Sequence, residues 1–152
     1  MLTCAIVSLD TQPAAVVRGR LPMDELPDFF GRAFGAVIET LTAQGVSPSG
    51  PPFGFYPSPP GEVVEVQAGF PIAAPLEPTG EVEVIELPGG RAVTTMHVGP
   101  YDALDHTYHE LMAWMTSQAV TPATAMWESY LSDPGLEPPD QWRTEIVWPI
   151  AD

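Results

Sequence analysis

A chain of 152 residues with an apolar fraction of 45% makes one domain, or two small halves sharing a core. Five arginines, no lysine and 20 carboxylates give a net charge of −15. That balance leaves no cationic footprint for direct nucleic-acid binding, and the missing lysine excludes Schiff-base chemistry and a P-loop. The apolar runs are too short to span a bilayer, and MLTCAIVSLD lacks the basic n-region of a signal peptide. The one cysteine, Cys4, excludes an internal disulfide and points to a reducing, cytoplasmic setting.

Thr3–Leu9 reads as a strand, Asp10–Pro13 as a turn and Ala14–Gly19 as a second strand, which predicts a hairpin. Glu25–Gln44 is predicted to be a helix, because Leu26, Phe29, Phe30, Ala33, Phe34, Val37, Ile38 and Leu41 recur at helical spacing. Acidic residues at its start and Gly45 at its end fit helix polarity and C-capping. Ser47–Pro52 is a loop, Phe53–Tyr56 a short strand, Pro57–Gly61 a turn, Glu62–Ile72 a strand and Ala73–Gly80 a linker. Glu81–Leu87 alternates cleanly, Pro88-Gly89-Gly90 predicts a hairpin turn, and Arg91–Val98 is the returning strand. Tyr101–Gln118 is a second helix, with Leu104, Tyr108, Leu111, Met112 and Met115 on one stripe. Both helix stripes are assigned to the core. Thr121–Thr124 is a loop, and the chain ends in two strands, Trp127–Pro134 and Arg143–Pro149, joined by a Pro- and Asp-rich connection over 132–140.

The order β-β-α-β-β occurs twice, and the residues repeat with it. At an offset of 78, Leu9 meets Leu87, Pro22 meets Pro100, Leu26 meets Leu104 and Phe30 meets Tyr108. At 74, Phe53 meets Trp127 and Tyr56 meets Tyr130; at 78 again, Phe70-Pro71-Ile72 meets Trp148-Pro149-Ile150. The expected fold is therefore α+β, a single domain over 1–152 built from half-repeats at about 1–75 and 80–152. Two antiparallel sheets, each carrying one helix, are related by a pseudo-two-fold axis, with a ligand cleft between the halves.

Strand alternation puts Glu128 and Tyr130 on one face of their strand, and Glu145 and Val147 on one face of theirs. A carboxylate beside a phenol, amid Trp127, Trp142 and Trp148, suits a lipophilic cation; two edge strands with glutamates facing water is the plainer reading. The repeat favours the first. Glu128 replaces Gly54 and Glu145 replaces Gln67, so the carboxylates belong to the second half alone, whereas a requirement of the fold would act on both.

The runs LPGGRAVTTMHVGPYDAL, WESYLSDP and QWRTEIVWPI, with GPPFGFY in the first half, resemble the GyrI-like small-molecule-binding domain, the effector-binding domain of AraC- and MerR-type multidrug regulators. The resemblance covers nearly the whole chain. It implies a SOUL-like tandem of βαββ units around a central cleft that binds bulky, often cationic aromatic compounds and needs no cofactor or metal. Glu128 is then the cation-facing acid, with Tyr130 on the same wall, Glu145 as a second acid, Phe53, Phe55 and Tyr56 as aromatic walls, and Tyr101 closing one side; Val147, on the face of Glu145, is counted with the ligand-binding residues. The chain reads as a stand-alone copy, so a transcriptional role calls for a regulator partner. Some relatives inhibit gyrase by protein–protein contact. Others hydrolyse cyclopropane-type genotoxins, and for that chemistry Glu128 and Glu145 are the catalytic candidates.

Other motifs carry less. His106 and His109 are three apart on a helix without a third ligand nearby, so they are read as surface histidines rather than a metal site. His97 is assigned a structural hydrogen bond, and Gly89-Gly90 a turn rather than a phosphate cradle.

Overall fold

A computed structural model of the chain describes residues 3–58, 61–132 and 136–151. Ten main elements follow in order: β1 (Cys4–Leu9), β2 (Gln12–Pro22), α1 (Leu26–Ala43), β3 (Phe53–Tyr56) and β4 (Val63–Pro71), then β5 (Val82–Leu87), β6 (Gly90–Val98), α2 (Leu104–Ser117), β7 (Met126–Tyr130) and β8 (Arg143–Pro149). The predicted elements all form. Each helix begins with a short 3-10 turn, at Met23–Glu25 and Tyr101–Ala103. β7 is shorter than the expected Trp127–Pro134: it ends at Tyr130, and Asp133 and Pro134 lie outside the described residues, as do Pro59 and Pro60 of the expected turn.

α1 places Leu26, Phe29, Ala33, Val37 and Leu41 on one buried stripe, which packs on Ala15, Val17, Val64, Val66 and Ala68 of β2 and β4. Gly45, at φ 69°, closes it with a bond from Val46 N to Leu41 O of 2.9 Å, a left-handed cap that glycine takes at little cost. The pseudo-equivalent end of α2 uses the same bond, Val120 N to Met115 O, but puts Ala119 at φ 57°. Leu111 and Met115 of α2 pack against Val93, Met126 and Ile146.

The strands form one antiparallel sheet in the order β1-β6-β8-β7-β3-β4-β2-β5. The two expected sheets are its two halves, sealed where β3 pairs with β7 from Phe53↔Ser129 to Tyr56↔Met126. The two expected hairpins do not form. β1 pairs with β6 of the other half (Cys4↔Thr95 to Leu9↔Gly90), and β5 pairs with β2 (Gln12↔Leu87 to Val17↔Val82). Each half thus lends its first strand to the other. Two-residue hairpin loops need primed turns with positive φ at their central residues, and neither Asp10-Thr11 nor Pro88-Gly89 has one. The chain therefore crosses over instead of folding back. The two crossovers touch: a Cβ on Gly89 would lie 2.9 Å from Leu9 O and 3.0 Å from Thr11 N.

The face away from the helices is also closed. Ala14, Val16, Phe53, Leu87, Ala92, Trp127 and Val147, drawn from both halves, make a single core there, so the sheet curls around them. The helices cover the outer parts of the opposite face and leave its centre, over the β3–β7 seam, open.

Candidate functional site

Over that seam lies a cavity of about 1300 Å³, large for a small-molecule site. Its lining comes from both halves in pseudo-equivalent pairs: Leu26 and Leu104, Phe30 and Tyr108, Phe34 and Met112, Tyr56 and Tyr130, Phe70 and Trp148. The wall is almost wholly apolar; of the two carboxylates among its described lining residues, Asp105 is exposed and Glu128 is buried. Phe30 stacks on Phe34 (ring centroids 5.5 Å apart) and meets Tyr130 edge-on (5.6 Å), while Tyr108 meets Trp148 edge-on (6.0 Å).

Glu128 is only 7% exposed. The Tyr130 hydroxyl donates to its Oε1 at 2.9 Å, and the Tyr108 hydroxyl, from α2, donates to its Oε2. Tyr56 lines the same cavity, within the field of Glu128. Burial raises the Glu128 carboxyl above its ordinary range; the two tyrosine donors and, to a smaller degree, the charge of His97 pull it back down without cancelling the rise. The same burial, added to the field of the carboxylate, raises the phenols of Tyr56, Tyr108 and Tyr130, so all three stay protonated donors. The site is thus one desolvated acid ringed by hydroxyls inside an aromatic cage.

Tyr101 closes one side. Its ring lies over Trp142 (4.9 Å) and edge-on to Tyr130 (6.0 Å). His97 sits behind this wall, where Nε2 meets the Pro100 carbonyl at 3.0 Å and Nδ1 meets the Thr107 hydroxyl at 2.6 Å. The carbonyl can only accept, so Nε2 carries a proton, while the Thr107 hydroxyl can donate to Nδ1 or accept from it. His97 therefore plays the structural part expected, tying β6 and α2 to the turn that presents Tyr101. His106 is exposed and pairs with Glu110 at 2.9 Å. No group of three or more His, Cys, Asp or Glu side chains is placed to hold a metal among the described residues.

Of the eight residues singled out by sequence, the structure gathers four in the cavity: Glu128, Tyr130, Tyr56 and Tyr101. The other four point away. Glu145 pairs with Ser129 and Val147 with Trp127, so strand alternation turns both to the face opposite Glu128. Phe53 and Phe55 flank Gly54 and face the same way; Phe53 is 1% exposed and Val147 4%, both in the core behind the seam. Sequence reasoning also missed Phe30, Phe34, Phe70, Tyr108, Met112 and Trp148. A signal was present, since Phe29 and Phe30 are adjacent and a helix cannot turn both to one stripe. Phe29, Ala33, Val37 and Leu41 face the sheet; Phe30 and Phe34 face the cavity.

The model of the GyrI-like small molecule binding domain matches residues 2–151. The chain belongs to the GyrI-like family. No curated protein matches it in sequence, so its neighbours are solved structures. The C-terminal domain of EcmrR is 21% identical with a TM-score of 0.85, covering 99% of this GyrI-like chain and 98% of that domain. Against the EcmrR chain in a DNA complex, this chain spans 57% of the other's length. A hydrolase from Listeria innocua shares 17% identity at a TM-score of 0.69, covering 98% of this chain and 92% of that one. SAV2435 bound to tetraphenylphosphonium shares 13% at 0.68, covering 98% and 94%. These likenesses establish the GyrI-like α+β fold. No described helix is long and apolar enough to cross a membrane.

Proposed function

We propose that the chain sequesters or senses bulky lipophilic, cationic aromatic compounds, and that Glu128 supplies the counter-charge. The observation that carries this reading is a desolvated carboxylate in the floor of a large aromatic cavity. An ionised acid taken out of water is costly unless a cation joins it, and the surrounding ring faces attract the same cation. A relative in the fold, SAV2435, was solved with such a cation. The pseudo-two-fold pairs add a direction. Carboxylate and hydroxyl stand in the second half, at Glu128 and Tyr108, where the first half has Gly54 and Phe30. The cationic centre accordingly sits toward the second half, and aryl groups lie on Phe30, Phe34 and Phe70.

Calorimetry with methyltriphenylphosphonium and the neutral, size-matched triphenylphosphine oxide tests the reading across pH. Cation binding requires ionised Glu128, whose folded value lies above the ordinary 4.5. Affinity for the phosphonium falls as pH drops through that raised value, and affinity for the oxide stays flat. Equal affinity and equal pH response for the two probes overturns the reading.

A second reading, hydrolysis of strained electrophilic rings, is favoured by the same raised carboxyl, which suits a general base. It asks for a lone pair within reach of water; each oxygen of Glu128 accepts one tyrosine hydroxyl and keeps a second acceptor site. Mass spectrometry on a panel of cyclopropane electrophiles decides it. Under this reading the water-addition product forms faster than in buffer, Glu128→Gln abolishes the gain, and Glu145→Gln, on the far face, leaves it intact. No gain over buffer ends the hydrolase reading.

A further inference from the structure

Gly54 lies directly across the β3–β7 seam from Glu128 and holds in the first half the position that Glu128 holds in the second. Its φ is not positive, so alanine would suit the backbone there; the constraint at this position is space. A Cβ on residue 54 would come within 3.0 Å of Cε1 and of Cζ of Phe30 and 3.1 Å of the Tyr130 hydroxyl oxygen. That hydroxyl is the one that donates to Glu128 Oε1 at 2.9 Å. Tyr130 has little freedom to step aside, for its ring is packed edge-on by Phe30 (5.6 Å), Phe34 (6.5 Å) and Tyr101 (6.0 Å).

We propose that Gly54 is a positioning residue for the ligand's counter-charge: by presenting no side chain, it lets the Tyr130 hydroxyl cross the seam and hold the Glu128 carboxylate. The inference rests on the reading of Glu128 as the acid that meets a cation, and adds what keeps that acid charged. A donor fixed on a carboxylate favours its ionised form. Remove the donor, and burial wins further, so that less of the site is charged at a given pH. The repeat also gains a reason for its asymmetry, since a side chain at position 54 and a tyrosine-held glutamate at 128 compete for one volume.

The test separates this role from plain packing and does not depend on a ligand. Carbon-13 NMR of the Glu128 carboxyl is followed through a pH titration in the wild-type protein, Gly54→Ala, Tyr130→Phe and the double variant. Gly54→Ala moves the Glu128 midpoint upward; in the Tyr130→Phe background the same substitution moves it no further, because the bond it disturbs is already gone. A Gly54→Ala protein that loses thermal stability with an unmoved midpoint overturns the proposal, as does an equal shift in both backgrounds. Should Gly54→Ala fail to fold, Gly54→Ala/Phe30→Leu, which clears the ring edge, is compared with Phe30→Leu on the same readout. Methyltriphenylphosphonium then loses about tenfold or more in affinity at neutral pH in Gly54→Ala, the scale of a hydrogen bond to a charged group, and triphenylphosphine oxide much less. If the midpoint behaves as expected but the wild type binds both probes alike, the positioning role stands and the reading of the cleft as a cation site falls.

Discussion

Replacing Glu128 with glutamine weakens lipophilic cations and stabilises the empty protein. The loss for cations is about 1.5–3 kcal/mol, the range for hydrogen bonds and contacts to charged groups, and neutral ligands of equal size lose much less. The gain in stability follows from linkage. The folded pKa of Glu128 is raised above the ordinary 4.5. Between those two values the folded protein keeps a proton that the unfolded chain releases. Stability is therefore greatest below the ordinary value and falls as pH rises through this window, until Glu128 is ionised in both states. Glutamine removes that slope. Its amide oxygen still accepts from a tyrosine, and its amino group donates to a phenol oxygen in the same ring of hydroxyls. Thermal denaturation of both proteins from acid to neutral pH checks the expectation. A variant less stable than wild type at neutral pH would mean that the carboxylate, even when empty, is held by more than the two hydroxyls described. Binding sites that carry unneutralised charge are commonly less stable than the scaffold allows.

Phe53→Ala is expected to act in the opposite way. Phe53 is 1% exposed and shares a core with Val16, Trp127 and Val147 behind the seam. Truncating a buried phenylalanine removes its transfer energy and leaves a cavity, a loss of about 3–5 kcal/mol. The cleft is on the other side of the sheet, so the ratio of cation to neutral affinity stays at its wild-type value. Chemical denaturation measures the first quantity and calorimetry the second. A change in charge selectivity without a large loss of stability would return Phe53 to the ligand wall.

The contrast between these residues shows what could be read from the sequence. Period and turn signals located the elements, and the offsets of 78 and 74 revealed the duplication and the special standing of Glu128 against Gly54. Strand parity within β7 correctly joined Glu128 to Tyr130. Parity between strands was beyond reach, because it depends on register. Glu128 is paired with Ile146, and Glu145 with Ser129, and a register one residue away would have put both acids in the cleft. The exchange of β1 and β5 was hidden for a similar reason. Short links between strands normally mean hairpins, and only the backbone shows that neither link makes the turn a hairpin requires. Tyr108 was visible as a helix-stripe residue, but its approach to Glu128 is set by how α2 lies on the second half of the sheet, a tertiary fact with no local signature.

The exchanged first strands have a consequence for how a site of this kind could arise. A chain of half this length could complete its sheet only by borrowing the first strand of a second copy, giving a dimer with the cavity on its two-fold axis. In such a dimer the residues now at 54 and 128 would be identical and would face each other across the seam, as Gly54 and Glu128 do. Two glutamates there would repel, or share one proton; two glycines would leave the floor uncharged. Among copies of one chain, only a covalent fusion allows the two positions to differ. A lone buried carboxylate on the seam is a feature that a symmetric dimer of one chain could not carry, and duplication makes a seam charged on one side attainable.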